Sequence, residues 1–124
     1  MYLLDTCILL WAIEGNTEKL GKRLHSHILD ENNAIFVSVV SLWEIVIKSS
    51  LGKLKIPDDL IQQIKNNNFT WLNVEVSHVL ELGKLPPIHQ DPFDRLLIAQ
   101  ARASNLKFMT IDQNIIKYDL SFLN

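Results

Sequence analysis

YLLDTCILLWAIEG, residues 2–15, decides the fold. Tyr2-Leu3-Leu4 is short and apolar, Asp5-Thr6 interrupts it, and a second apolar stretch runs from about Ile8 to Glu14. That order predicts a buried strand passing directly into a helix. Further on, Asn16-Thr17 offers a cap for a second helix over residues 18–30, in which Leu20, Leu24, Ile28 and Leu29 share one face. Residues 34–37 read as the second strand, and Ser38 caps the helix VVSLWEIVIKSSLG, which Gly52 terminates. This helix is apolar nearly all round, which predicts that it is largely buried. Pro57-Asp58-Asp59 starts a fourth helix that stops in the run Asn66-Asn67-Asn68. Residues 71–76 give a third strand, Ser77 caps a short helix to about Gly83, and Leu85-Pro86-Pro87 forces an extended loop. Asp91 followed by Pro92 is a strong start for a helix over 92–104. Residues 108–110 form the fourth strand, 113–118 a short helix and 120–123 a last edge strand. Strands alternating with helices predict an α/β sandwich around a mostly parallel sheet of four to five strands.

With 124 residues, 48% of them hydrophobic, the chain suits a single domain over 1–124 with a continuous core. The formal charge of −2 shows no basic excess of the kind that marks many nucleic-acid binders. Bound cations supply local positive charge that net charge omits, so a polyanionic substrate is not excluded. Lys48, Lys53 and Lys55 make a short basic group beyond the third helix, which also fits a solvated helix end. Cys7 is the only cysteine, which rules out an intramolecular disulfide and gives no sign of an oxidising compartment. No apolar stretch approaches the ~20 residues of a membrane span, and Asp5 interrupts a start that lacks the basic region of a secretory signal. The expectation is a soluble cytoplasmic protein.

Four acids fall where such a fold would gather them. Asp5 ends the first strand, Glu44 lies within the apolar helix, Asp94 opens the 92–104 helix and Asp112 follows the late strand. Ligands of open parallel sheets collect outside the carboxyl ends of the strands. Hard cations such as Mg²⁺ take oxygen ligands, and clustered like charges are costly without a cation or a proton. Each acid also has an ordinary reading. Asp5 suits a helix cap, a job compatible with coordination. Glu44 can pair with Lys48, four residues on. Asp91 fits the cap before Pro92, with Arg95 in reach for a charge pair, while Asp94 can complete a capping box. Asp112 can serve a turn.

Other residues carry weaker signals. His25, His27, His78 and His89 share no ligand spacing with a cysteine or with one another, which argues against a zinc site; His89, just before Asp91, is the one to watch. Cys7 reads as a small packed residue. Trp11, Trp43 and Trp71 read as core or interface anchors. No phosphate-binding glycine loop is present.

LLDT at the start, SLWEI around Glu44, HQDPFDRLLIAQA and TIDQ near the end together resemble a PIN-domain ribonuclease, specifically the VapC-like toxins of bacterial toxin–antitoxin pairs. The similarity covers essentially the whole chain. It implies a three-layer α/β/α fold, Mg²⁺ or Mn²⁺ held by an acidic cluster, and endonucleolytic cleavage of RNA leaving a 5′-phosphate and a 3′-hydroxyl. Motif by motif, Asp5 takes the place of the first acid, Glu44 the second and Asp94 the acid preceding LLIAQA. Asp112 matches the acid after the late strand, as a ligand of a second ion or of its water. Thr6 and Thr110, beside the acids, are placed to orient a carboxylate or a metal-bound water. Cys7 stands where relatives often have histidine.

The resemblance also implies a cognate antitoxin whose arginine-bearing tail enters the acidic site, and a homodimer that covers surplus apolar surface. Two rivals stand beside it. A haloacid-dehalogenase-type phosphatase also has an aspartate after its first strand, but needs another two residues later, where this chain has Cys7. A degenerate binding module would use its acids only as caps and as attractors of a basic partner.

Overall fold

The computed structural model describes residues 1–118 and the backbone of 122–123. Five strands form one sheet in the order β3-β2-β1-β4-β5, with every neighbouring pair parallel. They are β1 (Tyr2–Leu4), β2 (Ile35–Ser38), β3 (Thr70–Leu72), β4 (Lys107–Met109) and β5 (Phe122–Leu123). The helices are α1 (Thr6–Glu14), α2 (Thr17–Leu29), α3 (Val39–Ser50), α4 (Leu60–Asn66), α5 (Val76–Leu82) and α6 (Pro92–Ala103). None of the described helices is long and apolar enough to cross a membrane.

Two cores flank the sheet. On one side Ile8 and Leu9 of α1, Leu20 and Leu24 of α2 and Leu60 and Ile64 of α4 pack against Leu4, Val37 and Met109. On the other, Leu97, Ile98 and Ala101 of α6 pack against Leu3 and Phe108. Alternate residues of β1 therefore serve opposite layers, as the two-residue period of a strand requires. The chain winds outward from β1 to β3, then returns to place β4 on the other side of β1. The reversal lies between β1 and β4, and at such a switch point the loops leaving the two strands diverge and open a crevice.

Several local expectations are corrected. β3 stops at Leu72 instead of reaching residue 76, because its partner Ser38, paired with Leu72, is the last residue of β2. Glu75, not Ser77, caps α5, through a reciprocal box with His78. Residues 113–118 make turns, not a helix. Within them Ile116 N–H reaches the Asp112 carbonyl at 3.2 Å, but Tyr118 N–H closes a tighter loop onto Ile115 at 3.0 Å. Gly21, at φ 77°, kinks α2, and Leu29 is exposed instead of sharing the buried face of Leu20 and Leu24. α3 is only half buried: Val40, Ser41, Glu44 and Ile45 point inward, whereas Trp43 and Val46 are 54% and 51% exposed. The edge strand expected over 120–123 corresponds to β5, with residues 120–121 outside the described residues.

Candidate functional site

Asp5 leaves β1 with its amide bonded to the Met109 carbonyl of β4 (3.0 Å), which sets it at the β1–β4 crevice. It caps α1, with Oδ1 accepting from Thr6 N–H at 2.7 Å, while Oδ2 accepts from the Thr110 hydroxyl at 2.7 Å. Thr110 in turn accepts from Asp112 N–H at 3.1 Å, so one hydroxyl ties the first acid to the loop of the last. Glu44 is 5% exposed. Its Oε1 accepts from the Thr6 hydroxyl at 2.8 Å and its Oε2 from Lys48 Nζ at 2.7 Å. The salt bridge weighed from the sequence therefore forms, and the bond to Glu44 raises the Lys48 pKa.

The structure gives Asp91 the cap that its place before Pro92 suggested. Asp91 caps α6 by accepting from Asp94 N–H at 3.0 Å. Asp94 does not reciprocate. Its Oδ2 lies 2.7 Å from His89 Nε2, which is also 4.0 Å from Asp112 Oδ2. Asp112 spends Oδ1 on a turn, accepting from Asn114 N–H at 2.8 Å. Arg95 makes no ion pair with Asp91. It donates instead to the Pro86 carbonyl (3.0 Å), the His89 carbonyl (3.3 Å) and the Tyr118 hydroxyl (3.2 Å), tying the 85–89 loop to α6.

The carboxylates feel one another. Burial, above all, raises the Asp5 pKa to about 6; bonds from Thr110 and Thr6 oppose the rise, and the charges of Glu44 and Asp112 add to it. Burial and then the charges of Asp5 and Asp91 lift Asp94 to about 7, against the opposing bond from His89. All four candidate acids thus belong to one electrostatic cluster at the crevice. Among the described residues, Lys48 is the cation paired with Glu44, and His89 alone stands against Asp94 and Asp112. A divalent cation fits this donor set: Asp5 and Asp94 hold raised pKa values that a cation would reverse, and oxygen donors dominate. Glu44 keeps lone pairs for a ligand role even with both oxygens hydrogen-bonded.

Residues missed by sequence reasoning are Ser41, whose hydroxyl lies 3.1 Å from that of Thr6 and can donate to it while Thr6 donates to Glu44, and Tyr118. Ser41 lies one turn before Glu44 on the same face, a spacing that could have revealed it; Tyr118 has no such local signal. Cys7 is exposed, not packed. Desolvation of its thiol and the charges of Asp5 and Glu44 push its pKa up to about 11, so it is no thiolate nucleophile at neutral pH. Trp43 stacks edge-on against Phe93, ring centroids 4.8 Å apart, linking the helices that carry Glu44 and Asp94.

An α/β/α domain with buried carboxylates gathered at the switch point of a parallel sheet is the class that fold and site define. The PIN-domain family model matches residues 2–120, and the chain belongs to that family. No curated protein matches it significantly in sequence. Solved structures do match in fold. One is VapBC2 from Rickettsia felis bound to a DNA fragment from its promoter, with TM-score 0.75 and 19% identity over 99% of this chain and 97% of that one. DNA-bound VapBC from Salmonella typhimurium gives 0.69 and 14%, covering 98% and 96%. A toxin–antitoxin complex from Klebsiella pneumoniae gives 0.67 and 15%, covering 100% and 97%.

Proposed function

We propose that the chain, acting as a single domain in the cytoplasm, is a Mg²⁺- or Mn²⁺-dependent endoribonuclease and the toxin of a toxin–antitoxin pair. The observation that carries this is the pair Asp5 and Asp94, one buried and one partly buried carboxylate, raised to about 6 and 7 at the β1–β4 crevice of a PIN domain. A bound divalent ion supplies activation of water and charge stabilisation at a phosphodiester. The ligands of this reading are Asp5, Glu44, Asp94 and Asp112. Thr6 and Thr110 orient Glu44 and Asp5 by donating to one oxygen of each, leaving the remaining lone pairs for coordination. Lys48, half exposed beside Glu44, is placed to meet a substrate phosphate once the ion takes over its role as counter-charge. The fold shared with VapBC and with a toxin–antitoxin complex supports a protein inhibitor as partner. An arginine from that inhibitor would pair with the acids and compete with both metal and RNA.

The test is cleavage of RNA by purified protein with Mn²⁺ or Mg²⁺, comparing wild type with Asp5→Asn and Glu44→Gln. Both amides preserve shape and remove charge, so each should abolish metal-dependent cleavage and keep the circular dichroism of the wild type. Wild-type rates from either variant, with contaminating nuclease excluded, would sink the assignment. A protein that neither cleaves nor binds Mn²⁺ would be a binding module built on the same fold.

A further inference from the structure

His89 has no part in the four-acid scheme, yet it lies against two of its members. Its Nε2 stands 2.7 Å from Asp94 Oδ2 and 4.0 Å from Asp112 Oδ2. One donor atom from each of these three side chains lies within 4.8 Å of the other two. Ligands about 2.1 Å from a shared cation sit roughly 3.0–3.4 Å apart in octahedral or tetrahedral geometry, so small side-chain rotations bring the trio into range.

The backbone of His89 is pinned at both ends. Its N–H donates to the Tyr118 hydroxyl at 2.8 Å, and its carbonyl accepts from Arg95, which also holds Tyr118. Side chains from α6 and from the chain beyond β4 thereby fix a loop residue against the acids. The other histidines are engaged elsewhere or lie apart. His78 is buried against Ser104 and Gln100, and His27 bonds to the Arg23 carbonyl.

We infer that His89 is itself a metal ligand, completing a nitrogen–oxygen set with Asp94 and Asp112 that selects a divalent transition ion over Mg²⁺. The inference rests on the metal-dependent reading above. Its chemistry is that of the donors: Mg²⁺ holds to oxygen and keeps its waters, whereas imidazole suits transition ions. The neutral ring would carry its proton on Nδ1 and offer Nε2, so the cation takes the place of the hydrogen now shared with Asp94.

Mn²⁺ alone is a sufficient probe, since an electron spin-echo spectrum reports directly on nitrogen bound to it. The wild-type chain should show ¹⁴N coupling, and His89→Gln should lose it. Glutamine preserves a hydrogen bond to Asp94 but offers no lone-pair nitrogen. Calorimetry should find Mn²⁺ binding by His89→Gln weakened at least about tenfold, with Mg²⁺ binding changed less than about threefold. Bound Mn²⁺ without ¹⁴N coupling in the wild type, or coupling that survives in His89→Gln, would overturn the ligand role and leave the acid cluster intact. Mn²⁺ binding indifferent to both Asp5→Asn and Asp94→Asn would instead remove the metal centre, and this inference with it.

Discussion

At the scale of single residues, two desolvated acids, Asp5 buried and Asp94 partly so, set the behaviour of the site. Asp5 and Asp94 titrate near 6 and 7, above the ordinary 3.8 of an aspartate. Between those values the folded chain holds protons that the unfolded chain has released, so the metal-free protein loses stability as pH rises through this window. Its melting temperature should be higher at pH 5 than at pH 8. Asp94→Asn should raise the pH 8 value and flatten the difference, and a wild-type melting temperature that climbs toward pH 8 would contradict the role of burial. Cations compete with protons for the same oxygens, so Mn²⁺ affinity measured by calorimetry should tighten from pH 5.5 to 7.5. The neighbouring carboxylates separate by task. Asp91→Asn should bind Mn²⁺ nearly as the wild type does, because asparagine caps a helix as well as aspartate, whereas Asp94→Asn should lose most of that affinity. The reverse ranking would mean that their roles are exchanged.

At the scale of elements, α6 and α3 pack against each other and carry Asp94 and Glu44. α6 starts on Asp91, with Pro92 in its first turn, and buries Leu97, Ile98, Ala99 and Ala101. Removing the cap with Asp91→Ala should cost about 1 kcal/mol in urea denaturation, while Asp91→Asn should cost little. Leu97→Ala, in a fully buried position, should cost about 2–5 kcal/mol. Reading α3 as a buried helix overstated its surroundings. It touches α6 in one layer and α1 in the other, so only the side carrying Val40, Ser41, Glu44 and Ile45 is enclosed. Burial of Glu44 was legible from its apolar neighbours, but the open side beyond it was not, because periodicity cannot mark a face when every face is apolar.

At the scale of the whole molecule, the apolar surface left in solvent bears on assembly. Val76, Val79 and Leu80 of α5 are 77%, 54% and 65% exposed, close together on a helix whose other side packs on α6. A homodimer through this stripe is the proposed use. Light scattering at micromolar concentration should give a dimer for the wild type and a monomer for Leu80→Asp, with Mn²⁺ affinity preserved. A wild-type monomer would remove the proposed self-association. Co-expression with an inhibitor whose arginine occupies the acid cluster should block RNA cleavage, and excess Mn²⁺ should weaken the complex.

The sequence by itself determined the alternation of strands and helices, the caps at Asp5, Ser38 and Asp91, and the presence of acids after β1, within α3, at the start of α6 and after β4. These are local signals, set by hydrophobic period, proline and capping chemistry within a few residues. Only the tertiary structure decided that β4 would lie beside β1, so that the Thr110 hydroxyl meets Asp5 across a separation of 105 residues. It likewise turned Arg95 from Asp91 to the loop, drew Tyr118 beneath His89 and set that ring between Asp94 and Asp112. Such contacts form where separately folded loops meet at the carboxyl edge of the sheet, and side chains joined by packing alone leave no periodic trace in the chain.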